Sequence, residues 1–198
     1  MSASVGRPVP GPYAGWMDDW QPTTLAGVLR RTLVRHEDER GVLREAWRAS
    51  WTMPLGVGQL AQANHTVSRA GTLRGVHFHL LQADLWVVLD GRAQVGLADI
   101  RALLAGNESA APPTLSLILG AGDCLLIPVG VAHGLWALSD VSLLYLVTEE
   151  HDGTDEHGFA WNDPQVGLPW PGDNPTLSGR DQQAPDLAGA VRRARISR

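Results

Sequence analysis

The sequence predicts an all-β domain closed into a barrel or jelly roll, and three observations carry the prediction. Between Val42 and Asp181 the chain is a series of short apolar or alternating runs of strand length, at 85–89, 93–100, 115–119, 124–127 and 141–147. Glycines, prolines and an Asn-Asp pair punctuate them, as turns between antiparallel strands require. No internal repeat longer than a strand pair is present, so the strands are expected to close on one another in a single body rather than stack as a solenoid.

A length of 198 residues suits one domain. Such a chain buries about 70% of its unfolded surface without disulfides or structural metals. Residues 1–21, rich in proline, glycine and small side chains, read as an N-terminal arm that is either loose or lent to a neighbouring subunit. Residues 22–187 form the single domain. At its start, Leu25, Val28, Leu29 and Leu33 have near-helical spacing, while Thr32-Leu33-Val34 fits the opening of a strand, and the two readings stay open. Residues 188–198 read as a basic C-terminal tail, a solvated end carrying Arg192, Arg193, Arg195 and Arg198.

The formal net charge is −5, and all sixteen cationic side chains are arginine, because the sequence contains no lysine. An acidic chain without a long basic stripe is a poor partner for nucleic acid. No stretch approaches 18 consecutive apolar residues and no basic, apolar leader opens the chain, so neither membrane insertion nor export is expected and a cytoplasmic location is. The single cysteine, Cys124, lies in an apolar run; it excludes an internal disulfide and reads as a buried, inert thiol in a reducing compartment.

Chemistry concentrates in Arg74-Gly75-Val76-His77-Phe78-His79, in Tyr145, and in Leu177-Ser178-Gly179-Arg180-Asp181. Together these supply a candidate base, a carboxylate to pair with it, an acid and an anion-binding arginine, the groups needed to move a proton on a carbon beside a carbonyl. Each has a plainer reading: His77 as a core histidine, Tyr145 as packing among Leu143, Leu144, Leu146 and Val147, and Asp181 as a turn or helix cap.

Two spacings bear on the barrel mouth. His77 and His79 lie two apart on one strand and point to one face, followed by Asp84 and Gly91. Gly122, Pro128 and Gly130 then lead into His133 on a separate strand. These resemble the two motifs of the cupin superfamily, with Asp84 in place of the usual glutamate and Ala137 where asparagine often stands. His77, His79, Asp84 and His133 would form a competent shell for a divalent transition metal.

The remaining motifs favour one branch of that superfamily. In order come Asp38-Glu39-Arg40-Gly41 with Glu45, Gln62-Ala63-Asn64-His65 with Ser68, Leu73-Arg74-Gly75-Val76-His77-Phe78, and Asp99-Ile100-Arg101. Ile127-Pro128-Val129-Gly130-Val131-Ala132-His133-Gly134, Tyr145, Trp161-Asn162-Asp163-Pro164, Trp170-Pro171 and Leu177-Ser178-Gly179-Arg180-Asp181 follow. Over residues 36–187 this resembles the dTDP-4-dehydrorhamnose 3,5-epimerase family.

The resemblance implies a cupin-type jelly-roll homodimer that inverts carbons beside the ketone of a nucleotide-linked 4-keto-6-deoxyhexose, with no cofactor. It makes His77 the base, Asp181 the carboxylate that orients it, and Tyr145 the proton donor on the opposite face. Arg74 would serve the oxyanion or a diphosphate oxygen. Arg40, Glu45, Gln62 and Asn64 would contact the nucleotide-sugar, in part from the partner subunit, and His133 and Asp99 would lie in or near the pocket. Asp99 with Arg101 also reads as a structural ion pair, and 161–164 as a framework turn.

Departures from the family pattern are specific. Asp84 is the nearest equivalent of a lysine that helps bind the enolate oxygen, and His79 replaces a glutamine or alanine. Val95 stands for an aspartate, Leu43 for an aromatic residue, and Glu150 and His151 for paired tyrosines, one of which stacks on the base. Because His79 and Asp84 also complete the metal set, the alternative expectation is a metal-dependent isomerase, lyase or oxygenase.

Overall fold

The computed structural model describes residues 20–52, 59–109 and 111–196. The chain opens with β1 (Gln21–Pro22), β2 (Leu29–Thr32), the hairpin β3 (His36–Asp38) and β4 (Gly41–Leu43), and a one-turn helix α1 (Ala49–Thr52). It continues through β5 (Gln62–Ser68), β6 (Leu73–Phe78), β7 (Asp84–Asp90), β8 (Arg92–Asp99) and the short α2 (Arg101–Leu104). Then come β9 (Thr114–Gly120), β10 (Asp123–Ile127), β11 (Val131–Ala137), β12 (Val141–Val147) and β13 (His157–Gly158), before α3 (Gly179–Gln182) and α4 (Leu187–Ile196).

Two antiparallel sheets face each other, one ordered β1-β2-β10-β7-β12-β5 and the other β13-β6-β11-β8-β9. This is the expected all-β jelly roll of cupin type, and every apolar run named above lies on a strand except that the 93–100 run overshoots β8 by one residue, Ile100. The space between the sheets is filled by Val88, Val95, Leu97, Leu119, Leu125, Val131, Leu135 and Leu143, among others. The runs are apolar without alternation because both sheet faces are covered. On β7, Trp86 and Val88 face inward, while Leu85 and Val87 join Cys124, Leu126 and Leu146 on the outer face beneath Trp20 and Trp51. The outer face of the second sheet is likewise closed, Val76, Phe78, Ala98 and Ala132 packing against Phe159, Leu187, Val191 and Ala194.

The ambiguous start resolves into strands. Gly27 adopts φ +82°, a conformation glycine accepts without strain, and the Val28 N–H bonds the Leu25 carbonyl, so the near-helical spacing belongs to a tight turn between β1 and β2. Most of the N-terminal arm, residues 1–19, falls outside the described residues; Trp20 and Gln21 already pack against the domain. The basic tail departs from expectation as a solvated end. Residues 187–196 form α4, which buries Leu187, Ala190, Val191 and Ala194 and leaves Arg192 and Arg193 exposed. Its alanines and valine recur at helical spacing, a stripe the arginine count obscured. Among the described residues no helix is long and apolar enough to cross a membrane.

Candidate active site

A cavity of about 480 Å³ is lined by strands of both sheets, a volume within the range of small-molecule sites. His77, near the end of β6, lines it from one sheet and Tyr145, in the middle of β12, from the other. His77 Nε2 lies 2.7 Å from Asp181 Oδ1. Asp181 is delivered by α3, whose first turn is capped by Ser178: the Asp181 N–H donates to the Ser178 hydroxyl at 3.1 Å. The cap therefore belongs to Ser178, and the aspartate side chain is free to turn inward onto the histidine.

Burial pushes the Asp181 carboxyl up, but the His77 hydrogen bond and charge, the Ser178 hydroxyl and the Gly75 N–H together hold it below its ordinary value. An ionised carboxylate only accepts, so the hydrogen sits on His77 Nε2 and the lone pair on Nδ1. The strand carrying His77 passes very close to β11. A Cβ on Gly75, which has φ +119°, would stand 2.7 Å from Gly134 Cα and 2.8 Å from the His133 carbonyl oxygen, so only glycine fits there.

Tyr145 is half-buried, and burial, reinforced by the charges of Asp84 and Glu156, raises its phenol above the usual value against a smaller opposing effect of Arg74. The hydroxyl stays protonated at neutral pH. Arg74 also lines the cavity, its Nε donating to the Ser68 hydroxyl at 2.7 Å.

Beside this dyad, one ring nitrogen each of His79 and His133 and a carboxylate oxygen of Asp84 all lie within 4.8 Å of one another, and all three residues are buried. His77 is not part of this group; its Nε2 is taken by Asp181. Of the four residues weighed as an alternative metal set, His79, Asp84 and His133 come together and His77 stands apart. His133 Nδ1 bonds the Val131 carbonyl at 3.1 Å, and its Nε2 stands 3.6 Å from Asp84 Oδ2. Desolvation lowers the His133 pKa to about 4, the charge of Asp84 opposing and His79 and His77 adding to the decrease; the ring is neutral at pH 7.

Other expected contacts do not converge. Arg40 sits on the exposed β3–β4 hairpin paired with Asp38, and Glu45 pairs with Arg48. Gln62 and Asn64 bond each other on β5 and, like Arg40 and Glu45, are absent from the cavity wall, to which β5 contributes Thr66. Asp99 holds Arg101, which also reaches the Ala26 carbonyl, a structural ion pair at the foot of α2. Asp163 is a framework residue, accepting from the N–H groups of Gln165 and Leu187.

Sequence reasoning missed Gln82, Trp86 and Glu156 on the cavity wall. Gln82 and Trp86 flank Asp84 at two-residue spacing and both donate to its carboxylate, at 2.7 and 3.1 Å; strand periodicity could have found Trp86. Glu156 bonds Arg180 at 2.5 Å from an irregular segment and left no pattern to read.

A domain of this architecture, with these two motifs bracketing its mouth, is a cupin-type jelly roll. The model of the dTDP-4-dehydrorhamnose 3,5-epimerase family matches residues 22–189, and the chain belongs to that family. It is 33% identical over 180 residues to the dTDP-4-dehydrorhamnose 3,5-epimerase of Streptomyces griseus, covering 87% of this chain and 88% of the relative. It is 32% identical to the dTDP-4-dehydrorhamnose 3-epimerase of Streptomyces niveus, over 86% and 84% of the two chains. Among solved structures, the 3'-monoepimerase ChmJ from Streptomyces bikiniensis, in complex with dTDP-quinovose, superposes with a TM-score of 0.77 at 28% identity, covering 88% of this chain and 90% of that one. These similarities are to sugar-nucleotide epimerases and do not favour the metal-dependent isomerase, lyase or oxygenase alternative.

Proposed function

We propose that this protein is an isomerase, an epimerase of a nucleotide-linked 4-keto-6-deoxyhexose in deoxysugar biosynthesis, inverting one or both carbons beside the C4 ketone. The observation that carries the reading is the 2.7 Å His77–Asp181 pair sharing one cavity with Tyr145 from the opposite sheet. A base on one wall and a protonated phenol on the other are what inversion needs, since the proton must leave from one face and return to the other.

In this mechanism His77 Nδ1 takes the proton alpha to the ketone. Asp181 stabilises the imidazolium and keeps its hydrogen on Nε2. The electrons of the broken C–H bond move onto the C4 oxygen as an enolate, which the Arg74 guanidinium attracts. The carbon then takes a proton from Tyr145, completing inversion. These transfers use side chains alone.

Arg40, Glu45, Gln62 and Asn64 act on the nucleotide-sugar in a homodimer, Arg40 and Glu45 reaching the cavity of a second copy. Neither Arg40 nor Glu45 lines the cavity of its own chain, which is consistent with that assignment. His133 lines the sugar pocket. The protein works in the cytoplasm, with no nucleic-acid or membrane partner.

The test is NMR of the purified protein in deuterated water with dTDP-4-keto-6-deoxyglucose. Hydrogen loss at one or both carbons beside the ketone, abolished in His77→Ala, is the expected result. Absence of exchange at both carbons overturns the reading.

A further inference from the structure

We propose that Glu156 is a positioning residue for the His77–Asp181 pair: its ion pair with Arg180 fixes α3 in the orientation that brings the Asp181 carboxylate onto His77 Nε2. The inference deepens the epimerase reading, on which it rests in so far as His77 is the base.

The element that carries Asp181 has little to hold it. It is a single turn, Gly179–Gln182, that belongs to neither sheet, and one turn of helix is not stable by itself. Backbone bonds anchor the chain on either side of it: the Leu73 N–H donates to the Thr176 carbonyl at 3.0 Å, and the Ala160 N–H to that of Pro185 at 2.7 Å. Between those anchors, the Ser178 cap and the backbone bonds of the turn stay within residues 178–184. Among the described residues, two side chains of α3 reach the rest of the domain, Asp181 to His77 and Arg180 to Glu156.

Glu156, by contrast, stands on a segment fastened to the strand that carries the base. Its neighbour Asp155 accepts the N–H groups of Leu80, Leu81 and Gln82 at 2.7, 2.9 and 3.0 Å, and the Asp155 carbonyl lies 2.6 Å from His79 Nδ1. On the other side, His157 stacks on Phe78 with ring centroids 5.3 Å apart, and β13 pairs with β6 so that Gly158 faces His77. The approach is close. A Cβ on Gly158 would stand 2.8 Å from the Val76 carbonyl oxygen and 3.2 Å from His77 Cδ2. The backbone of Glu156 is therefore registered against His77, two residues from the glycine that meets its ring.

From there the Glu156 carboxylate crosses to Arg180 Nη1 at 2.5 Å. Burial raises its carboxyl, but the Arg180 hydrogen bond and the charges of His79, Arg180 and His77 hold it below the ordinary glutamate value, so an anion faces the guanidinium at neutral pH. Arg180 and Asp181 are adjacent in the chain. A ring thus closes from His77 through the β6–β13 pairing to Glu156, across to Arg180, and back through Asp181. Without the Glu156 link, α3 is held at Asp181 alone.

Arg180 is half-exposed, so the pair adds little to global stability. Its effect is geometric. Reacting groups need to be held within about 0.5 Å of the productive arrangement, and a displacement of about 1 Å costs on the order of 100-fold in rate.

The experiment uses the full chain and Glu156→Gln, which keeps the shape and removes the charge, with Arg180→Gln as the second variant. Long-range proton–nitrogen NMR of the ligand-free protein reads the His77 tautomer at a pH where the ring is neutral. Deuterium exchange beside the ketone of dTDP-4-keto-6-deoxyglucose gives kcat and KM. In the parent, the His77 hydrogen is expected on Nε2; in Glu156→Gln the signal should move toward a mixture of the two tautomers. With it, kcat should fall by about 10- to 100-fold, KM stay within about threefold, and the melting temperature stay within about 2 °C.

Far-UV circular dichroism checks that each variant is folded. Arg180→Gln is expected to shift the tautomer in the same way, and carries the test should Glu156→Gln not fold. A His77 tautomer unchanged in the folded variant, whatever its rate, overturns the proposal. So does a rise in KM at unchanged kcat, which assigns the ion pair to substrate binding. The tautomer measurement needs no substrate: a parent protein that exchanges no deuterium overturns the epimerase reading, while the hold on α3 is still judged by NMR.

Discussion

Replacing Asp181 with asparagine isolates what the carboxylate does for His77, because the two side chains have the same shape. Asparagine at this position keeps the backbone bond to Ser178 that starts α3. It removes the charge that faces His77 Nε2 at 2.7 Å. With about 4 Å between the charge centres and an effective dielectric near 20, the attraction that stabilises the imidazolium is worth about 4 kcal/mol. That corresponds to about a thousandfold in the proton-abstraction rate. If the amide turns its NH₂ group to Nε2, the hydrogen is forced onto Nδ1 and the base is lost altogether, which sets the outcome on the low side of that figure. The assay is the rate of deuterium incorporation beside the ketone under saturating substrate, with KM measured in parallel. The expected loss falls on kcat, with KM within about threefold and a melting temperature within a few degrees of the parent. An Asp181→Asn protein within tenfold of the parent in kcat refutes the role assigned to the pair.

Tyr145→Phe removes the only hydroxyl of that side chain from the cavity wall. It is expected to reduce formation of the inverted product by about 10²- to 10⁴-fold while hydrogen exchange at the carbon facing His77 persists, as read by NMR; equal loss of both signals contradicts the division of labour. Gly75→Ala would drive a Cβ into the Gly134 and His133 backbone and should cost at least about 3 kcal/mol, or roughly 6–12 °C in melting temperature by calorimetry. The Cys124 thiol, pushed up to about 12 chiefly by burial, is about one part in ten thousand ionised at pH 8; it should ignore Ellman's reagent in the native protein and react at once in denaturant. The Asp181 carboxyl, held below the ordinary aspartate value, contributes stability that is complete above that ordinary value and is lost as pH falls through the folded-state pKa. Urea unfolding should accordingly show a larger drop between pH 5 and pH 2.5 for the parent than for Asp181→Asn.

Much of the fold was legible because its strands are buried on both faces. Leu85, Trp86, Val87 and Val88 read as a plain apolar run, and the structure divides them between the inner core and a second layer under Trp20 and Trp51. The opening residues were not legible, since Leu25, Val28, Leu29 and Leu33 satisfy helical spacing and only the positive φ of Gly27 selects the turn. At the site, His77, Tyr145 and Asp181 were readable as chemical types, and their meeting in one cavity is a product of sheet topology. The spacing of His77 and His79 put both on one side of a strand but said nothing about which ring a distant carboxylate would claim. Asp181 claims His77, and this is why His77 stands apart from His79, Asp84 and His133. Arg40 lies in the β3–β4 turn and Glu45 in the segment after β4, neither on the cavity wall, and each is paired with a near neighbour, so their spacing in the sequence did not show where they would sit.

His77 and Asp181 are separated by 104 positions along the chain, and strands β7 to β13 all lie between them. The carboxylate that selects the His77 tautomer comes from α3, which belongs to neither sheet. The pairing is thus a property of the docked α3 and not of the two sheets alone, and a domain with intact sheets and a displaced α3 lacks it. On the proposed mechanism, deuterium exchange reports whether that single helical turn is docked, which fluorescence from tryptophans on other elements does not.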